Sequence, residues 1–144
     1  MTHSPLLGPV VTLVAWTLVM LAWMAVTRFT AAKKAGINLG QSRGGRGQNL
    51  DGVVADRTQW KAHNYNHLME QPTIFYAIVL ALILMGMDVA INVWLAWGYV
   101  ALRIVHSIVQ ATVNIVKYRF ALFALSTFCL LGLTVHAAAG LIHG

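Results

Sequence analysis

The chain has 144 residues, of which 58% are hydrophobic and only 10% charged, with a net charge of +6. One domain is expected from the length, and the composition excludes an ordinary soluble globule, in which about 25% of residues are charged. The single cysteine, Cys129, lies in an apolar run, which excludes an intrachain disulfide, a multi-cysteine zinc site and a dithiol pair, and it reads as a packing thiol.

The first apolar run, Leu6 to Phe29, carries no charge before Arg28 and exceeds the ~20 residues that cross a bilayer. It has no basic leader region, so it reads as a retained span. Polar residues fill 30–71. Gly40, Gly44, Gly45 and Gly47 alternate there with Arg43 and Arg46, without the Gly-Lys-Ser/Thr ending of a phosphate loop, so the stretch reads as a flexible loop. From Leu50 onward, Val53, Val54, Trp60, Tyr65 and Leu68 recur among polar groups at helical spacing, which predicts an amphipathic extension leading into the second span.

That second span covers 72–87, with Glu70 just before it and Pro72 within the helix or at its kink. Asp88 and Asn92 mark a turn. The third span covers 93–116, opened by Trp94 and Trp97 at the expected interface, and the fourth covers 120–142. Only Lys117, Tyr118 and Arg119 separate them, so the third and fourth helices are predicted to be antiparallel neighbours. There is no internal repeat of the secondary-transporter kind. The fold class is all-α, an integral membrane four-helix bundle forming a single domain over 1–144.

Seven of the ten basic residues, Arg28, Lys33, Lys34, Arg43, Arg46, Arg57 and Lys61, fall between the first two apolar runs. Lys117 and Arg119 fall between the last two. The positive-inside rule therefore places the first and third loops in the cytoplasm and both termini on the opposite side. Such charge attracts anionic lipid headgroups or anionic substrates. No nucleic-acid partner is expected, because the aromatic residues sit mainly in or beside the apolar runs and form no stacking platform.

Two polar stripes interrupt this apolar sequence. Arg103, His106, Gln110, Asn114 and Lys117 recur at steps of three or four, which stacks them on one helical face. A guanidinium in mid-bilayer costs about 2.5–3.5 kcal/mol on insertion scales, so it needs a partner or a wet cavity. The second stripe, His63, Asn66, His67 and Glu70, lies within two turns, with Arg57 and Lys61 upstream. His63, His67 and Glu70 have a spacing that suits a metal, but the Glu that follows the first His in helical zinc proteases is missing, and no metal is assigned. If Glu70 and Lys117 both lie at the membrane boundary, Arg103 is about 21 Å deeper than Lys117. A direct Glu70–Arg103 salt bridge is then not expected, and Asp88 or backbone carbonyls are the alternative partners of Arg103.

The stretch Lys-Ala-His-Asn-Tyr-Asn-His-Leu-Met-Glu-Gln-Pro at 61–72, followed by Phe75 and Tyr76 and then Arg-Ile-Val-His at 103–106, resembles the MAPEG family. These are membrane-associated proteins in eicosanoid and glutathione metabolism, and the chain resembles a bacterial-type member. The resemblance covers essentially the whole chain. It implies a homotrimer of four-helix bundles, with glutathione as co-substrate between neighbouring subunits and a lipophilic small molecule as the second substrate. Members with known activity conjugate glutathione to electrophiles, reduce lipid hydroperoxides or isomerise eicosanoids.

Two departures from the family pattern stand out. In Arg-x-x-x-Asn-x-x-Glu, counted back from Glu70, His67 takes the Asn place and His63 the Arg place, with Asn66 one position off. In Arg-x-x-Tyr followed by a second Tyr, counted from Arg103, His106 and Gln110 take the tyrosine places. Lys117 falls at the place of the thiol-activating arginine, and Arg119 is the chemically closer substitute two residues later. The resemblance thus implies Glu70, His63, Asn66, His67, Arg103, His106 and Gln110 as cofactor-binding residues, and Arg119 and Lys117 as catalytic ones. A fixed cation close to the sulfur favours the thiolate, and the thiol itself arrives with the co-substrate. A non-catalytic member binding lipid or a partner is the alternative reading. A small proton-coupled transporter is a third, disfavoured because its usual first-helix acidic residue is absent.

Overall fold

A computed structural model of the chain describes residues 3–38, 44 and 46–143. Of the glycine-arginine stretch, Gly40, Arg43 and Gly45 lie outside the described residues. The architecture is four long helices: α1 (Leu7–Lys34), α2 (Asp56–Leu84), α3 (Ala90–Thr112) and α4 (Val116–His143), with a 3-10 turn at Gly47–Leu50 and no strand among the described residues. All four are long and apolar enough to cross a membrane. Even α3, with 23 residues, spans about 35 Å at 1.5 Å per residue, more than the ~30 Å of a hydrocarbon core.

Local chemistry sets where the helices stop. Gly36 and Gly86 take the left-handed conformation, with φ of 70° and 67°. Behind each, a pair of backbone bonds closes the helix end. Ile37 N donates to Ala32 O and Gly36 N to Lys33 O, while Met87 N donates to Leu82 O and Gly86 N to Ile83 O. This is the glycine-dependent Schellman ending. It stops α2 at Leu84, three residues before the expected end of the second span, and α2 begins at Asp56, well upstream of Pro72.

The junction of α3 and α4 differs from the sequence expectation. Asn114 adopts φ 56°, a left-handed conformation that asparagine tolerates better than most residues. Its N–H donates to Val109 O at 2.7 Å. The third helix therefore ends at Thr112 rather than at 116, and the fourth starts at Val116. Lys117, Tyr118 and Arg119 occupy the first turn of α4 instead of forming the link.

The bundle has apolar side chains outside and polar ones within. Leu84 and Trp94 are 88% and 75% exposed, while Arg103, Asn64, Asn92 and Ser107 are 0% exposed. Water would favour the reverse, whereas lipid tails accept the outer surface and leave the polar groups to pair inside. The α3–α4 and α1–α2 pairs pack most extensively, and α2 also lies against α3. Phe75 and Tyr99 stack at 4.3 Å and 11° in the centre of the bundle.

Polar contacts fasten both ends. At one end Arg28 Nε donates to Gln59 Oε1 at 3.2 Å and Arg28 Nη2 to Gly47 O at 3.3 Å. Gln59 Nε2 donates to the same carbonyl and to Asp51 Oδ1. The first loop is thus tied down onto α1 and α2. At the other end Ser4 Oγ donates to Asp88 Oδ1 at 2.8 Å, and Asn92 Nδ2 donates to Met87 O while its Oδ1 lies 2.6 Å from His136 Nδ1. Asp88 is therefore engaged with Ser4 and is not the partner of Arg103.

Candidate active site

The polar face of α3 turns inward. Arg103, His106 and Gln110 are 0%, 2% and 3% exposed. Asn114 and Lys117, which the spacing put on the same face, lie beyond the helix end, and Lys117 is exposed. The backbone reversal at Asn114 removes them from the register. It also brings Arg119 back against Asn114, since Arg119 Nη1 donates to Asn114 Oδ1 at 2.7 Å.

Arg103 crosses to α2. Its Nη2 donates to the carbonyl oxygen of His67 at 3.0 Å, and its guanidinium carbon lies 5.8 Å from the Phe123 ring centroid. The Nε and Nη1 atoms are buried with no hydrogen-bond partner among the described residues. Glu70 lies fourteen residues into α2 and three residues beyond the carbonyl that Arg103 engages. Its carboxylate reaches His67 instead, with Oε2 3.0 Å from His67 Nδ1.

His67 is the hub of this arrangement. Its ring centroid lies 5.1 Å from that of His106 and 5.5 Å from that of Phe123. A cavity of about 210 Å³ opens against these rings, lined by His67, His106, Val116, Arg119, Phe120 and Phe123. One wall is imidazole and guanidinium, and the other is apolar. The Nε of Arg119 is buried without a partner among the described residues, so its guanidinium retains hydrogen-bonding capacity after Asn114 is served.

The remaining sequence candidates stand apart from the cavity. His63 is exposed, lies 3.9 Å from Asp51 Oδ1 through Nε2, and lines a separate hollow with Trp60 and Asn114. Asn66 is exposed. Gln110 is buried with Oε1 unpartnered among the described residues, yet it does not line the cavity. His63, His67 and Glu70 do not converge on a point, and among the described residues no three His, Cys, Asp or Glu groups do. Cys129 is half-buried behind Gly98, away from the cavity.

Several polar groups of the interior were not singled out from the sequence. Asn64 Nδ2 and Trp16 Nε1 both donate to Ser107 Oγ, at 2.8 and 3.0 Å, joining α1, α2 and α3 through one hydroxyl. Tyr99 OH donates to Gln71 Oε1 at 3.3 Å, and Gln71 Nε2 donates to Thr127 Oγ1 at 2.9 Å. The signal was present for Asn64, which precedes Leu68, Pro72 and Phe75 at steps of three or four on the buried face of α2.

A family model for the MAPEG family matches residues 6–139. The chain belongs to the MAPEG family. No curated protein and no solved structure gives a match. Membership and the four long apolar helices make this an integral, multi-pass membrane protein of the glutathione and eicosanoid metabolism family. Within this MAPEG chain one imidazole from α2, one from α3 and the first turns of α4 meet at one cavity. Of the residues that the family pattern marks, His67, His106 and Arg119 line it, Arg103 and Glu70 contact His67, and Lys117, His63, Asn66 and Gln110 remain outside.

Proposed function

We propose that this MAPEG protein is a membrane-bound, glutathione-dependent transferase or peroxidase acting on lipophilic electrophiles or lipid hydroperoxides. The observation that carries the reading is the two-walled cavity. Arg119, His67 and His106 offer a cationic and hydrogen-bonding side, and Val116, Phe120 and Phe123 an apolar one. A thiol-bearing tripeptide suits the first wall and an apolar substrate from the bilayer suits the second. No protein nucleophile is required, since the sulfur belongs to the co-substrate.

In this reading Arg119, fixed by Asn114, is the cation that favours the thiolate, because an opposite charge within about 4–6 Å stabilises the ionised form. Arg103 is a further anchor for a carboxylate, supported by its two unpartnered donors. Lys117 is exposed and is the weaker candidate. Val116 and Phe120, 72% and 70% exposed, leave the cavity open on its outer side, which suits a homotrimer whose neighbouring subunit completes the wall. The basic end of the bundle, with the first and third loops, is assigned to the cytoplasm.

Calorimetry on the purified protein in lipid tests the proposal. Glutathione is expected to bind at millimolar concentration or below, with a thiolate absorbance that falls sharply in Arg119→Ala and little in Lys117→Ala. Absence of binding at millimolar thiol sinks the enzymatic reading. It leaves the non-catalytic one, which the imidazole and amide at the two tyrosine places, His106 and Gln110, favour.

A further inference from the structure

The position that the family pattern gives to asparagine holds an imidazole here, and that imidazole sits in a carboxylate–histidine pair. His67 Nδ1 is 3.0 Å from Glu70 Oε2. An anionic carboxylate only accepts, so Nδ1 carries the proton and the lone pair is on Nε2, across the ring. The ring itself lines the cavity, and its own backbone carbonyl is pinned by Arg103 at 3.0 Å. The Glu70 contact sets the tautomer and holds the ring, and the ring's place in the cavity wall puts it beside the substrates. A third group that orients a base in this way is a recurring arrangement in nucleophile activation.

We propose that His67 is the proton carrier of this site, taking the proton from the attacking thiol and returning it to the leaving group, with Glu70 as its positioning residue. The inference rests on the glutathione-dependent reading. The titratable or charged groups facing the imidazole are Glu70 on α2, Arg103 and His106 on α3 and Arg119 on α4. Arg119 supplies the field that favours thiolate, and His67 supplies the place for the proton, so the two roles are separate.

With a hydroperoxide the step balances as follows. The thiol S–H bond breaks and an N–H bond forms at Nε2. The sulfur electron pair attacks the terminal peroxide oxygen, an S–O bond forms, and the O–O bond breaks with its pair leaving on the alkoxide. That alkoxide takes the proton from Nε2 and departs as an alcohol. The sulfur is oxidised to a sulfenic acid, which a second glutathione converts to disulfide and water. With an aryl halide the halide leaves without needing a proton, and the Nε2 proton passes to solvent.

This difference supplies the test. The full chain in lipid is assayed as native, His67→Asn and Glu70→Gln, for glutathione binding and for kcat/KM on an alkyl hydroperoxide and on an aryl halide across pH. Asparagine is the residue that the family pattern carries at this place, so the first variant is expected to fold, and Glu70→Gln is a second, milder probe. His67→Asn is expected to bind glutathione and to lose about 100-fold or more of both rates at neutral pH, the scale of general acid–base catalysis. Above the ordinary thiol pKa of about 8.5 its aryl-halide rate recovers toward native while its hydroperoxide rate does not. Glu70→Gln shows the same pattern with a smaller loss. Near-native rates in His67→Asn, or equal recovery of both substrates at high pH, overturn the proton role and leave the glutathione reading intact. A native protein that binds no glutathione overturns both, and one that binds it but turns over neither substrate overturns the proton role.

Discussion

Arg103 on α3 donates from Nη2 to the backbone carbonyl of His67 on α2 at 3.0 Å, within the turn of α2 that precedes Pro72. Pro72 has no N–H to give to the carbonyl four residues back, so the hydrogen-bond ladder of α2 is thinnest around Leu68. A cation enters the bundle beside that gap and fixes the position of His67 from the backbone side. The same guanidinium keeps two buried nitrogens, Nε and Nη1, without a partner among the described residues, which costs stability. Its single hydrogen bond leaves donor capacity unused, in keeping with the proposed role as a carboxylate anchor.

Stability measurements on Arg103 check this. Arg103→Met fills similar volume without a buried charge and is expected to be neutral or more stable by about 1–4 kcal/mol, as seen when buried ions are replaced by apolar side chains. Arg103→Ala leaves a void and is expected to lose about 2–5 kcal/mol. Thermal unfolding in the same detergent compares the two. A Met variant as damaged as the Ala variant would show that the cation has a partner beyond the single chain. Both variants are expected to weaken glutathione binding.

The interior link between Asn64, Ser107 and Trp16 calls for a double-mutant cycle. Asn64→Ala and Ser107→Ala each remove one end of the 2.8 Å hydrogen bond that joins α2 to α3. Interhelical hydrogen bonds in membranes average about 0.6 kcal/mol by such cycles, with a maximum of about 1.7. A coupling energy in that range is expected from unfolding of the two single variants and the pair. Zero coupling would mean that Trp16, which donates to the same hydroxyl at 3.0 Å, sustains the site without Asn64.

Gly47 has no room for a side chain while Arg28 stays in place, since a Cβ there falls against the Arg28 guanidinium. Gly47→Ala is expected to push Arg28 off the Gly47 carbonyl and loosen the first loop. Hydrogen bonds to charged groups contribute about 1.5–3 kcal/mol, so local opening should become on the order of 10–100 times more frequent. Limited proteolysis between residues 46 and 55 reads this out as faster cleavage, with helix content unchanged. Gln59→Leu, which removes the other half of the clamp, is expected to act in the same direction.

The legibility of this chain divides along physical lines. Four apolar helices were readable because lipid imposes composition over long windows, and the inward face of Arg103, His106 and Gln110 was readable because helical spacing is regular. The His67–Glu70 contact follows from a separation of three residues in a helix. What the sequence concealed depends on single backbone torsions and on contacts between helices. Val113, Ile115 and Val116 look like a continuing span, and only the left-handed Asn114 ends it. With that turn in place Lys117 is off the stripe and exposed, while Arg119 lines the cavity. Phe123 and Phe120 carry no sequence signal for the site, since their place in the cavity wall depends on how α4 is set against α2 and α3.

Asn114 is accordingly the residue whose substitution best separates fold from site. It holds φ 56° and also accepts from Arg119 Nη1 at 2.7 Å, so it serves as both a turn and a positioning group. Glycine adopts that torsion without strain but has no side-chain oxygen. Asn114→Gly is thus expected to keep thermal stability within about 1 kcal/mol, near the net worth of one hydrogen bond, while Arg119 is released and the thiolate absorbance of bound glutathione falls. Asn114→Val suffers both effects, with a β-branched residue forced into the left-handed region at about 1–3 kcal/mol. Melting curves and thiolate spectra on the two variants therefore part company. The glycine variant loses the spectrum alone, and the valine variant loses the spectrum and the stability together. If Asn114→Gly kept the full thiolate signal, Arg119 would not need Asn114 to act on the sulfur, and the assignment of the activating cation would pass to another group of the cavity wall.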